Sequence, residues 1–149
     1  MNGPHYHRRA ALALTGDCFG TAMRFVRRTL SEWALSVDGC PTNDMVLVAA
    51  ELLGNACVHT PGPTAIDLEL DDSVLTVAIT DVSLRPPTLR PYRPGTPGGY
   101  GLHIVERLST RWGSYAAPGG KTVWATLDTA GRGPRPVVLA PGQEPRERS

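Results

Sequence analysis

The stretch Glu51-Leu52-Leu53-Gly54-Asn55-Ala56-Cys57-Val58-His59 sets three polar side chains, Glu51, Asn55 and His59, four residues apart among mostly apolar ones. On an α-helix each step of four advances about 40° around the axis, so the three lie along one side. Val48, Leu52, Leu53 and Ala56 have the spacing of a core stripe on the same helix. The pattern predicts this helix from a cap at Thr42 or Asn43 to about Thr60, with Asp44 in the first turn facing the positive end of the helix dipole. Met45 to Ala50 is apolar all round, which predicts a central helix packed on more than one face. Polar groups gathered on such a helix need either one another or a ligand as hydrogen-bond partners.

Downstream, Pro61, Gly62 and Pro63 stop the helix, and Ile66, Leu68 and Leu70 then alternate with Asp67 and Glu69. After an Asp71-Asp72 turn, Leu75, Val77 and Ile79 share one face, which predicts an antiparallel hairpin covered on one side. The same parity carries Asp81 to the buried side at the strand's end, where a carboxylate requires a partner. Between Leu84 and Pro97 stand five prolines and three arginines (Arg85, Arg90 and Arg93), which predict a long loop or lid. Gly98, Gly99, Tyr100 and Gly101 close it and open a third helix striped by Leu102, Val105 and Leu108. A glycine-rich turn feeding a helix offers free N–H groups and a positive dipole end, an arrangement suited to phosphate. A last hairpin pairs Arg111–Ala117 with Lys121–Leu127 across Pro118-Gly119-Gly120.

Upstream, Tyr6 to Leu14 reads as a first strand, and Thr15, Gly16 and Asp17 as a break and helix cap. Ala22, Met23, Val26, Leu30, Trp33, Ala34 and Val37 then mark an amphipathic helix from Phe19 to Val37, with Arg24, Arg27, Arg28 and Glu32 mostly on its other face. Beyond Gly131 the chain is rich in Pro, Gly and Arg and holds one short apolar run, Val137 to Ala140, so a mobile tail is expected. The elements assemble as an α/β (α+β) two-layer sandwich of three helices over a mixed, mostly antiparallel sheet. The domain spans 6–128 and the tail 129–149.

A chain of 149 residues fits one domain. Its net charge of +1 removes the usual electrostatic case for nucleic-acid binding. Cys18, Cys40 and Cys57 are an odd number without CxxC spacing, so neither a disulfide framework nor a zinc site is indicated. The sequence holds no membrane-length apolar run and no signal-peptide pattern, and a cytoplasmic location is expected.

In order and spacing, Glu51 to Ala56, the strand ending in Asp81-Val82-Ser83, the lid, Gly99-Tyr100-Gly101-Leu102 and the closing Gly120-Lys121-Thr122-Val123-Trp124 resemble the GHKL ATPases. Within that superfamily the chain is similar to the anti-sigma-factor serine/threonine kinases over about Leu14 to Asp128. The resemblance implies a Bergerat-type ATP-binding fold and a site for ATP and Mg²⁺. It implies that Asn55 coordinates Mg²⁺, that Glu51 activates the attacking hydroxyl or water, and that Asp81 reads adenine. Gly99 and Gly101, with Leu102 beside them, match the end of the lid that approaches the phosphates. Thr122 matches a hydroxyl residue near the adenine pocket, while His59 and Ser83 have supporting roles. The implied partners are a sigma factor and an anti-anti-sigma (STAS-type) protein, and a homodimer is implied as well. One departure stands out: Val82-Ser83-Leu84-Arg85-Pro86-Pro87 holds no glycine where most GHKL members carry several. The competing reading is the same fold as a catalytically weak or inactive module that regulates transcription by protein–protein binding. A metabolic enzyme using Glu51 and His59 as acid and base needs a deep small-molecule pocket that nothing else in the sequence predicts.

Overall fold

At the turn of the central hairpin Asp72 adopts φ 57°, a left-handed conformation that a short polar residue tolerates. It joins β2 (Pro63–Asp71) to β3 (Val74–Asp81). The tight turn fixes the register at Asp71 opposite Val74, so Leu70 meets Leu75, Leu68 meets Val77 and Ile66 meets Ile79. All six side chains are buried on one side of the sheet. This computed structural model describes residues 5–13, 16–34, 41–83, 101–128 and 137–138.

The remaining elements are β1 (His5–Ala11), α1 (Cys18–Ala34), α2 (Thr42–His59), α3 (Gly101–Leu108), β4 (Arg111–Ala117), β5 (Gly120–Asp128) and β6 (Val137–Val138). The strands run in the order β1-β2-β3-β5-β4-β6. Neighbours are antiparallel except β4 and β6, which pair in parallel through Arg111 with Val137 and Trp112 with Val138. The short apolar run that the sequence places in the tail thus supplies an edge strand. The result is the expected two-layer α/β arrangement with a mixed, mostly antiparallel sheet.

One face of the sheet, lined by Ile66, Leu68, Leu70, Leu75, Val77, Ile79, Trp112, Val123, Ala125 and Leu127, forms the core together with the helices. From α1 come Ala22, Met23, Val26, Leu30 and Trp33, and from α2 Met45, Val48, Ala49, Leu52, Leu53 and Ala56. Leu102 and Val105 add the contribution of α3. Each large side chain buried in this way stabilises the fold by about 1.5–3 kcal/mol relative to exposure. At the sheet edge Tyr6 stacks on Trp33 with ring centroids 5.8 Å apart, and Arg8 pairs with Glu32, so β1 is fastened to α1 by both apolar and charged contacts.

The helix ends follow local chemistry. Asp17 caps α1, its Oδ1 accepting the Gly20 N–H at 2.9 Å, as the break at Thr15 to Asp17 anticipates. At α2 the expected cap is displaced. The N-cap is Pro41 with no side-chain cap bond, and Thr42 and Asn43 are already helical. Proline cannot supply a capping oxygen, so Asp44 in the first turn is the acidic group left to face the dipole. At the other end the Thr60 N–H and hydroxyl both donate to the Ala56 carbonyl, at 3.1 and 2.6 Å. Gly62 at φ 141°, a conformation open to glycine, then turns the chain into β2.

As the all-round apolar run predicts, α2 touches both other helices and β2, β3 and β5. It still leaves Leu47 and Val58 exposed. The cysteines Cys18 and Cys57 are free thiols, and burial raises the pKa of each above its ordinary value. Among the described residues no helix is long and apolar enough to cross a membrane.

Candidate functional site

The alternation along β3 that buries Leu75, Val77 and Ile79 also buries Asp81, on the helix-facing side at the strand's last residue. Its partner is the residue directly across on β5, Lys121. The ammonium lies 2.9 Å from Oδ2 and 3.0 Å from Oδ1, and the two side chains are only 8% and 2% exposed. The Ser83 N–H donates to Oδ1 at 2.8 Å, so the carboxylate also holds the chain as it leaves the strand. A buried charge of either sign would be costly alone; paired and hydrogen-bonded they are tolerated.

Register assigns Thr122 elsewhere. It faces Thr80 across the β3–β5 ladder, and the two hydroxyls are 3.0 Å apart. Successive residues of a strand point to opposite faces, so with Lys121 beside Asp81, Thr122 belongs to the other side of the sheet. The position beside the buried carboxylate is held by Lys121, and Thr122, which the resemblance sets near the adenine pocket, stands opposite Thr80. The pairing follows from the ladder register, in which Leu75 stands opposite Leu127, and the sequence carries no local signal for it.

Gly120, just before Lys121, is buried as well, and its Cα packs against the end of β3. Glu51 and Asn55 are half-buried on α2, the helix that packs against α3, β3 and β5. Burial raises the Glu51 carboxyl above the ordinary glutamate value, making it a stronger base once ionised. Gly101 is the first residue of α3, and Leu102 after it is buried in the core. The helix α2, which carries Glu51 and Asn55, packs against α3 and against β3, the strand that ends in Asp81. Gly99, the lid and the His59 side chain lie outside the described residues.

The other sheet face carries a separate groove of about 390 Å³, lined among others by His5, His7, Arg9, Asp67, Glu69 and Trp124. Asp67 there accepts from Arg9 at 2.7 Å and contacts His7 Nε2 at 2.9 Å. Its size gives it no claim on the chemistry above, because the whole sheet separates it from Asp81.

A family model for the histidine kinase-like ATPase domain matches residues 20–127, from the start of α1 to the end of β5. The chain belongs to that family. All the candidate residues fall inside the matched stretch. Among solved structures, this ATPase domain is similar to the RsbU and RsbW domains of Rv1364c from Mycobacterium tuberculosis, with a TM-score of 0.57 and 20% identity over 84% of the present chain. The match spans 32% of that chain's length, and at this identity it bears on the fold. Comparison with curated proteins found no match.

Proposed function

We propose that the chain is an ATP-binding cytoplasmic regulator of the anti-sigma type, which transfers phosphate to a serine or threonine of a STAS-type anti-anti-sigma protein and holds a sigma factor. The observation that carries nucleotide binding is Asp81, a buried carboxylate at a strand end, inside a chain matched by the ATPase-domain family. Oδ2 lies 2.9 Å from the Lys121 ammonium, and a carboxylate oxygen accepts more than one bond, so it can take the exocyclic amino group of adenine.

The other residues fit the group. The Asn55 side-chain oxygen would hold Mg²⁺, a hard cation that takes oxygen ligands and keeps several waters. The N-terminus of α3 at Gly101, with Gly99 before it, would face the phosphates, and Leu102 would wall the cleft. When bound, the nucleotide supplies the phosphoryl group. Glu51 accepts the proton of the attacking hydroxyl, a role favoured by a half-buried carboxylate whose pKa is raised. Most of the barrier reduction in such transfers comes from positioning and charge neutralisation. Ser83 steadies Asp81 through its backbone N–H, and His59 is assigned a supporting polar role at the end of the α2 row.

One observation favours a second reading, a module of the same fold that regulates by partner capture alone: both oxygens of Asp81 are already engaged by Lys121. Incubation with labelled ATP, Mg²⁺ and a candidate antagonist separates the two. Transfer that disappears in Glu51→Ala supports the kinase; nucleotide binding without transfer supports the module.

A further inference from the structure

The groove on the sheet face away from the core is built from the residues that alternate with the core. Leu68 and Leu70, Leu75 and Val77, Ala125 and Leu127, and Trp112 belong to the core, so Glu69, Thr76, Thr126 and Arg111 point the other way, and all four line the groove. Ladder register sets them in a single rung across β2, β3, β5 and β4: Glu69 stands opposite Thr76, Thr76 opposite Thr126, and Thr126 opposite Arg111. Three strand spacings of about 4.8 Å separate the two charged residues by about 14 Å at their Cα atoms. A carboxylate therefore stands at one end of the rung, a guanidinium at the other, and two hydroxyls between them.

The groove's other charges are matched to one another. Among the described residues its ion pairs are His5 with Asp71, His7 with Asp67 and Arg9 with Asp67, and none of them uses Glu69 or Arg111. In the neighbouring rung Trp124, opposite Ala78 and Gly113, lies on the same side of the sheet and lines the groove. It is 1% exposed, and its indole N–H has no hydrogen-bond partner among the described residues. A buried donor of this kind calls for an acceptor.

The complement of the rung is a linear zwitterion. It needs an ammonium for Glu69 and a carboxylate for Arg111, whose planar fork binds a carboxylate through two parallel N–H bonds. Its middle must exchange hydrogen bonds with the Thr76 and Thr126 hydroxyls. Side chains at both ends take up part of the span and leave about 6–10 Å between the ligand's charges, the length of two or three extended residues. A single amino acid carries both charges on one carbon and is too short. A simple anion gains from Arg111 and is repelled by Glu69. The groove volume of about 390 Å³ is in the range of small-molecule sites.

We propose that this groove is a second binding site, for di- or tripeptides with free termini, in which Glu69 holds the ammonium and Arg111 the carboxylate. The sheet stands between it and Asp81, so the proposal does not depend on nucleotide binding.

Titration calorimetry of the full chain with dialanine and trialanine tests it, together with forms of each that are acetylated at the amine or amidated at the carboxylate. The expected result is saturable binding of at least one free peptide, weakened about tenfold or more by either cap, the effect of losing a charge-assisted hydrogen bond. Glu69→Gln is expected to erase the difference between free and acetylated peptide, and Arg111→Gln the difference between acid and amide, each leaving the other cap's effect in place. Absence of saturable binding, or binding indifferent to both caps, overturns the proposal. Cap effects that persist in both folded variants place the peptide elsewhere and overturn it as well. Free alanine binding as tightly as the peptides overturns the assigned length. Sedimentation that shows a dimer dissociated by either substitution assigns the face to a second copy of the chain and likewise overturns the proposal. The capping series on the wild-type chain decides the question even where a variant does not fold.

Discussion

A Cβ placed on Gly120 would lie 1.8 Å from the backbone carbonyl oxygen of Asp81 and 2.8 Å from its carbonyl carbon. The obstacle is main chain, so no rotamer change relieves it. The approach that puts Lys121 against Asp81 therefore depends on a residue without a side chain. Gly120→Ala is expected to separate the ends of β3 and β5 and to lower stability by about 1–3 kcal/mol, the usual range for overpacking. Chemical denaturation gives the stability, and nucleotide titration should show weakened binding. A variant with unchanged stability and binding would contradict the geometry.

The buried Asp81–Lys121 pair should show strong coupling. Removing one partner leaves the other charged and unpaired, so Lys121→Met is expected to cost about 3–5 kcal/mol. Replacing both with apolar residues, Asp81→Leu with Lys121→Met, should recover most of that loss. A double-mutant cycle from denaturant melts measures the coupling. Additive losses would mean that the two groups do not depend on each other.

Glu51 links stability to pH with a defined sign. Burial holds its folded-state pKa above the unfolded value, so the native state binds the proton more tightly. That contribution is fully present below the ordinary glutamate value and is lost as pH rises through the raised one. Glu51→Gln is therefore expected to gain stability relative to wild type on going from acid to neutral pH, while phosphate transfer is abolished. Thermal melts across that pH range provide the check; a wild-type-to-variant difference independent of pH would refute it.

Gly54 sits inside α2, and a Cβ there would meet nothing within 4 Å among the described residues. Glycine within a helix costs about 0.5–1 kcal/mol relative to alanine. Gly54→Ala should raise stability by that amount and leave nucleotide affinity unchanged. A loss of stability would reveal a close neighbour at this position.

The sequence disclosed the parts of this fold whose periodicity is strong. Leu68 and Val77 share a face because their strands alternate cleanly, and Leu52 and Ala56 because four residues pass a full helical turn by only about 40°. The row of Glu51 and Asn55 and the burial of Asp81 were legible for the same reason. The partner of Asp81 was not, because it stands 40 residues away and is fixed by ladder register, which no local pattern contains. Thr122 drew attention as the hydroxyl residue of its motif, yet a one-residue difference in strand position reverses the face. The cap of α2 was misplaced for a related reason: Thr42 and Asn43 have capping chemistry, but the backbone at Pro41 begins the helix one residue earlier.

The most direct test is titration of the intact chain with ATP and Mg²⁺, repeated for Asp81→Asn and for Glu69→Ala in the groove of the opposite sheet face. The account predicts saturable binding that is lost in the Asp81 variant and retained in the Glu69 variant. Absence of binding, or binding that survives at Asp81 and fails at Glu69, would contradict it.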